Sequence, residues 1–296
     1  MSLDELRTLL DRHARSGVTT AIDGVLIGRA TRAHESSVSM SGTVLALIAR
    51  GAKTLVLGDR VYEYRAGQYL VASVDLPVSG HYTEAPALGF GLVLEPAEIA
   101  ELLVGAPHGA VPPAAGPTSA IAVSDAPGEL VDAAVRMLRL LETPRDIPVV
   151  APLIRREILW RLVTGEQGAA VRQLGLAGSS VTQVAQAVRW IRDHYRESFR
   201  IDDLARRSGL SVSAFHRHFQ AVTAMSPIQF QKRIRLQEAR LMLAAQPHDV
   251  TGVSHRVGYD SPSQFSREYR RQFGEPPSRD AARLRDGSRA SAMSVP

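Results

Sequence analysis

Two stretches of the C-terminal part repeat each other, turn included, and this repeat narrows the possible folds more than any other feature. SGLSVSAFHRHFQAVTAMSP (208–227) aligns with VGYDSPSQFSREYRRQFGEPP (257–277), pairing Gly209 with Gly258, Phe215 with Phe265, Phe219 with Tyr269 and Pro227 with Pro277. In the second copy Ser261 is placed as a helix N-cap, and Pro262 stands at the first helical position, where a missing N–H leaves no bond unmade. Gln264, three residues after the cap, completes a capping box. Phe265, Tyr269 and Phe273 then recur every four residues as an apolar stripe, with Ser263, Ser266, Arg267, Arg270 and Arg271 on the other face. Each copy follows a short helical segment, IDDLARRSG (201–209) or DVTGVSHRVG (249–258), that ends in a turn glycine. Helix, glycine turn and capped helix make a helix-turn-helix pattern, here present twice.

Between the copies, SPIQFQKRIRLQEARLMLAAQ (226–246) reads as one continuous helix that opens with the same cap, proline and glutamine as Ser261–Gln264. Its roughly 20 residues at about 1.5 Å each give a strut of about 30 Å. Adjacent major grooves on one face of DNA lie about 34 Å apart, so the two motifs are spaced for successive grooves. Charge agrees. Residues 181–296 hold 19 Arg/Lys against 11 Asp/Glu, while residues 1–180 hold 16 against 19, which together give the net +5. A mildly acidic first part joined to a basic last part points to a polyanion partner for the latter.

The first part has a different period. TVLALIARG (43–51), KTLVLGD (53–59), VYEY (61–64), QYLVASVDL (68–76) and GFGLVLEP (89–96) are short runs broken by Gly and Asp, as in a small antiparallel barrel or sandwich. Leu3, Leu6, Leu9 and Leu10 predict a short amphipathic helix before them. GAPHGAVPPAAGP (105–117) is a loop by composition. LVDAAVRMLRLLE (130–142) and PLIRREILWRLVTGEQGAAVRQL (152–174) are helical by period. The stripe Leu130, Val131, Ala134, Met137, Leu138 and Leu141 suits either a dimer interface or a private core. The predicted organisation is therefore two-domain α+β: residues 1–175, a linker at 176–181, an all-α double helix-turn-helix at 182–286 and a disordered tail at 287–296. No run approaches a membrane span, and the charged N-terminus is not a signal peptide. Cysteine is absent, which removes disulfides, Cys-ligated zinc and thiol redox chemistry. The expected location is the cytoplasm.

The stretch 180–285, through DDLARRSGLS, FHRHF, SPIQFQKRIRLQEARLML and VGYDSPSQFSREYRRQFGEPP, resembles the DNA-binding module of AraC/XylS-type transcriptional regulators. Residues 20–117, through GDRVYEYRAGQYLVASVDLPV (58–78), resemble the cupin-like β-barrel effector domain of a subgroup of that family. The resemblance implies double-stranded DNA and a small-molecule effector as partners, a homodimer, and RNA polymerase for an activator. Carried over by position, the base-reading residues are Ser213, His216 and Arg217 with Gln220 nearby in the first motif, and Pro262, Ser263, Ser266 and Arg267 in the second. Arg217 and Arg267 each offer a bidentate fork suited to guanine. Arg233, Arg235, Arg270 and Arg271 suit phosphates. The chain departs from the family pattern at Gly252, Ser254 and Asp280, the last standing where an aromatic residue is common, which puts local stability at issue. His34 and His81 are the candidate effector-contacting residues in the barrel. No His-x-His pair of the metal-holding cupin type accompanies them, so no metal or cofactor is expected, and no Gly-x-Ser-x-Gly elbow marks a catalytic nucleophile. The competing reading is a cupin-type enzyme acting on a small carbonyl or sugar compound, with the DNA-binding module as an accessory.

Overall fold

The computed structural model describes residues 2–14, 17–20, 22–33, 37–107, 109–112, 119–176, 178–245 and 249–283. The chain starts with α1 (Leu3–His13), capped by Ser2, whose Leu6, Leu9 and Leu10 are buried. Eight antiparallel strands form one sheet: β1 (Gly17–Thr20), β2 (Val25–Ala30), β3 (Ser37–Met40), β4 (Val44–Leu57), β5 (Arg60–Arg65), β6 (Gln68–Ala72), β7 (Pro77–Val93) and, after α2 (Pro96–Val104), β8 (Ile121–Asp125). Their order is β1-β2-β7-β4-β6-β8, with β3 also on β7 and β5 also on β4.

The two long strands explain this topology. β7 pairs with β2 through its C-terminal part and with β3 through its N-terminal part. β4 likewise takes β6 along its first half and β5 along its second. Two expected strands, 43–51 and 53–59, are thus one strand, and its register on β7 shifts at three points between Ile48 and Lys53. Such shifts bend a strand without ending it. The end strands β1 and β8 do not pair with each other among the described residues, so the expected barrel is an open, jelly-roll-like sheet.

Helices close the sheet. α3 (Gly128–Arg139) buries Leu130, Val131, Ala134, Met137 and Leu138 in the chain's own core, against α1 and α4 (Ile147–Thr164). The expected 152–174 helix is two, α4 and α5 (Gly168–Gly175), separated by Gly165 and joined by a bond from Arg172 Nη1 to the Val163 carbonyl at 2.5 Å. Then follow α6 (Ser180–Asp193), α7 (Ile201–Arg207), α8 (Val212–Thr223), α9 (Pro227–Ala245), α10 (Val250–Arg256) and α11 (Pro262–Phe273), with a last helical segment at 277–283. α6 starts inside the expected linker 176–181, with the Ser179 hydroxyl accepting from Thr182 N. The expected tail at 287–296 lies outside the described residues.

The core divides within α9. One continuous cluster runs from the sheet and α1–α6 through Phe215, Phe219 and Phe230 to Ile234. A second gathers Leu236, Ala239, Leu243, Val253, Val257, Tyr259, Phe265, Tyr269 and Ala281. At about 1.5–3 kcal/mol for each large apolar side chain buried, each cluster is enough to order its own helix-turn-helix. The first motif shares its core with the sheet domain; the second has its own.

Candidate nucleic-acid interface

The first motif is α7, a turn and α8; the second is α10, a turn and α11. Gly209 and Gly258 hold the two turns at φ of +67° and +91°, a left-handed conformation that costs a residue with Cβ about 1–2 kcal/mol. Serine caps start both second helices. The Ser211 hydroxyl accepts from Ala214 N at 3.3 Å, and the Ser261 hydroxyl accepts from Gln264 N at 3.3 Å. The expected capping box is only half made at Ser261, because the Gln264 amide turns to Glu268 instead. At Ser226 it is complete: Ser226 N donates to Gln229 Oε1 at 2.9 Å and Gln229 N to the Ser226 hydroxyl at 3.3 Å.

The apolar stripes face inward as the period requires. Phe215, Phe219, Phe265 and Tyr269 are buried. Opposite them on α8, Ser213, His216, Arg217 and Gln220 are exposed and follow one another at helical spacing along one face. On α11, Ser263, Arg267 and Arg270 are exposed, while Pro262 and Ser266 are half-buried. The side chains of Arg217, Arg267, Arg270 and Arg271 make no hydrogen bond or ion pair with any described residue, so their guanidinium groups are free to meet a ligand.

Two arginines that the sequence assigns to phosphates do other work. Arg235, midway along α9, donates to the carbonyls of Tyr195, Arg196, Glu197 and Gly258, at 2.6 to 3.1 Å. It ties the segment after α6 to the turn of the second motif. Arg233 donates to the Gly58 carbonyl at 3.4 Å, and burial lowers its pKa. It faces the sheet domain and is half-buried there.

Carboxylates hold the second motif together. Glu268 accepts from Lys232 Nζ at 2.7 Å, from the Tyr259 hydroxyl at 2.8 Å and from the Gln264 amide at 3.2 Å. Burial pushes its pKa up, but those donors more than offset this and hold it below the ordinary value. Asp280 is fully buried and accepts from Arg240 at 2.8 and 3.2 Å, from the Tyr269 hydroxyl at 2.8 Å and from Arg283 at 2.8 Å. The departure from the family pattern at Asp280 is therefore fully bonded. Gly252 has a local reason too: its N–H donates to the capping Asp249 carboxylate, which a Cβ at that position would strike. Ser254, also buried, returns its hydroxyl to the Thr251 carbonyl at 2.8 Å.

The sheet domain touches the first motif directly. The β4–β5 turn at Gly58–Asp59 meets the turn after α8, where Ala224 is left-handed at φ +58°. A cleft of about 520 Å³ opens beside this contact, lined by Asp59, Gln220, Lys232, Arg233, Glu268 and Arg271 among others. Ala120 N also donates to the Val222 carbonyl at 3.4 Å, and Arg192 of α6 pairs with Asp75 at 2.5 Å. This docking was not legible in the sequence, since no local pattern reports a contact across more than 100 residues.

Of the expected effector residues, His34 lies outside the described residues. His81 is half-buried on β7 opposite Thr54, in a row that continues to exposed Glu63. No group of three His, Cys, Asp or Glu that could hold a metal occurs among the described residues. Among them, too, no helix is long and apolar enough to cross a membrane.

Comparison with known proteins agrees with this geometry. The family described as AraC-type transcriptional regulator N-terminus matches residues 21–170, and a helix-turn-helix domain family matches residues 204–283. The HTH-type transcriptional activator RhaS of Escherichia coli (strain SE11) is 30% identical over 109 residues, which is 37% of this chain and 39% of that protein. RhaS of Escherichia coli O1:K1 / APEC is 29% identical over 153 residues, 52% of this chain and 53% of the relative, so the chain spans about half or less of the length of these relatives. The crystal structure of unsaturated fatty acid bound ToxT from Vibrio cholerae strain SCE256 has the same fold with a TM-score of 0.52 at 9% identity, covering 91% of this chain and 96% of that one.

Proposed function

This chain belongs to the AraC-type transcriptional regulators, and from that premise we propose that it binds a specific duplex site through both helix-turn-helix motifs, α8 and α11 entering successive major grooves. The observation that carries this is the pair of exposed faces at the two ends of one helix. α9 is 19 residues long, about 28 Å, and its halves belong to the cores of different motifs. In this reading Ser213, His216, Arg217 and Gln220 face one groove, Pro262, Ser263, Ser266 and Arg267 the other, and Arg270 and Arg271 take phosphates.

The sheet domain senses a small-molecule effector and acts through the docked β4–β5 turn, which holds the first motif relative to the sheet. The fatty acid named for ToxT is an example of a ligand on this fold. His34 and His81 stay as candidate contacts. A homodimer forms through the outer face of α4, where Val149 and Leu153 are 70% and 65% exposed, rather than through α3, whose stripe is already used. The chain acts in the cytoplasm as a regulator and not as an enzyme, and as an activator it meets RNA polymerase. Inserting two residues after Leu236 tests the paired-groove reading. It turns the second motif by about 200° and lengthens α9 by about 3 Å. Specific affinity falls by more than it does in R267A while both motifs stay folded. Near-native affinity of the insertion variant for the same site would refute simultaneous use of two grooves.

A further inference from the structure

One arginine stands where the two helix-turn-helix motifs meet, and its hydrogen bonds all go to backbone. Along α9, Ile234 belongs to the core cluster of the first motif and Leu236 to that of the second, so Arg235 falls between the two cores. Its guanidinium spans the gap. Nε donates to the Tyr195 carbonyl at 2.6 Å and Nη2 to the Arg196 and Glu197 carbonyls at 3.1 Å each, all just past the end of α6. Nη1 donates to the Gly258 carbonyl at 2.6 Å, in the turn of the second motif. Gln231, about one helical turn earlier and buried, donates to the Tyr195 and Glu197 carbonyls at 3.0 and 2.5 Å. Tyr195 itself packs against both clusters.

The backbones of the two motifs touch at the same place. A Cβ at Gly258 would strike the Arg196 carbonyl oxygen and lie 3.0 Å from the Arg196 carbonyl carbon and Cα. Around its counterpart in the first motif, Gly209, there is room: only Gln183 Nε2, at 4.0 Å, comes near a Cβ there. Both glycines are left-handed. The turn conformation alone accounts for Gly209, whereas Gly258 is also needed for the close approach of the motifs. A single helix that joins two bodies bends, and a second attachment away from its axis removes that freedom. Four carbonyls converging on one planar fork make the attachment directional, as the compact ammonium of a lysine would not.

We propose that Arg235 is a positioning residue for DNA recognition. By clasping the end of α6 to the turn of the second motif, it fixes the separation and phase of the reading faces on α8 and α11, and so selects the spacing of the two half-sites. The assignment rests on the paired-groove reading of α8 and α11 and adds the device that sets its register. One base pair added between the half-sites moves the second groove by about 3.4 Å and turns it by about 35°. Heads held by the clasp cannot follow without giving up contacts at one groove. Heads joined by α9 alone bend toward the displaced groove and keep most of their joint binding, as a flexible linkage does.

The chain has no cysteine, so spin labels attach only where cysteines are introduced. With Ser213→Cys and Ser263→Cys, both at exposed positions, full-length protein diluted into unlabelled chain reports the distance between the reading faces by double electron resonance, without DNA. The distance distribution is narrow with Arg235 in place and broad or shifted in R235Q; the same distribution in both overturns the proposal. Anisotropy on unlabelled chains then compares a duplex selected from a random library with versions that have one base pair added or removed between the half-sites. Wild type loses about tenfold or more on each altered duplex, R235Q loses less than about threefold, and R235K, which keeps the charge without the fork, resembles R235Q. A penalty in R235Q as large as that of wild type also overturns the proposal. A residue that merely stabilised the fold would lower affinity on every duplex alike and leave the spacing preference in place. If R235Q fails to fold, G258A carries both measurements, with G209A as the control for the left-handed turn. Labels that respond to R235Q, in a chain whose wild type is indifferent to spacing, would leave the clasp standing and remove the paired-groove reading.

Discussion

The docked turn offers a substitution whose effect can be worked out in advance, Gly58→Ala. Gly58 has φ +65°, and an added Cβ there would lie 2.8 Å from the Ala224 carbonyl oxygen and 3.4 Å from the Ala224 Cβ. Gly67, in the β5–β6 turn, has φ +84°, and its Cβ would meet only a Leu3 methyl at 3.7 Å. Both changes carry the left-handed penalty of about 1–2 kcal/mol. Only G58A adds a collision with backbone of the other domain, for which overpacking of about 1–3 kcal/mol is a fair scale. The strain is relieved when the turn leaves Ala224 and Arg233 loses the Gly58 carbonyl. If docking restrains the first motif, releasing it by 1–3 kcal/mol raises specific DNA affinity by about 5- to 150-fold. Fluorescence anisotropy on a selected duplex compares wild type, G58A and G67A, and hydrogen exchange at residues 222–226 reports undocking. G58A binds more tightly than G67A, and G67A matches wild type. Equal affinities for all three, with faster exchange in G58A, would show that docking is real but does not restrain DNA binding.

Three further outcomes follow from the same contacts. R267A weakens binding to the specific duplex by about 1–3 kcal/mol and barely changes binding to random DNA; equal losses on both would make Arg267 a phosphate contact. D280A leaves the Arg240 side chain, 15% exposed, without its carboxylate; denaturant unfolding shows a loss of about 3–5 kcal/mol confined to the second motif, and a loss under 1 kcal/mol would contradict the network. Glu268 has a pKa held below its unfolded value, so its stabilisation is present above the unfolded pKa and fades as pH falls through the folded one. Thermal melting of wild type against E268Q therefore shows the wild-type advantage at pH 7 shrinking from about pH 5 downward, and a pH-independent difference would refute the assignment.

Legibility in the sequence followed the range of the interactions. Both helix-turn-helix motifs were readable because caps, turn glycines and apolar period are local, and the repeat supplied each signal twice. The exposed faces of α8 and α11 followed from that period. Arg233 and Arg235 were not readable. On a helix wheel they look like solvent-facing basic residues, and only the tertiary fold brings the carbonyls of Gly58, Tyr195 and Gly258 to them. Asp280 looked like a flaw because its partners Arg240 and Tyr269 lie 40 and 11 residues away. In the sheet, Gly51 read as a strand break, whereas the backbone absorbs it as a register shift. Residues 77–88 hid most of β7, since exposed Thr83, Glu84, Ala85 and Pro86 interrupt the alternation that marks a strand.

The central claim is that one chain reads two successive major grooves with α8 and α11. A methylation-protection footprint of the full-length protein on its selected duplex tests it most directly. Two protected major-groove segments are expected on one face of the DNA, with centres about 10–10.5 base pairs apart, the second of them lost in R267A. A single protected segment, or two whose spacing departs from one helical turn, would contradict it.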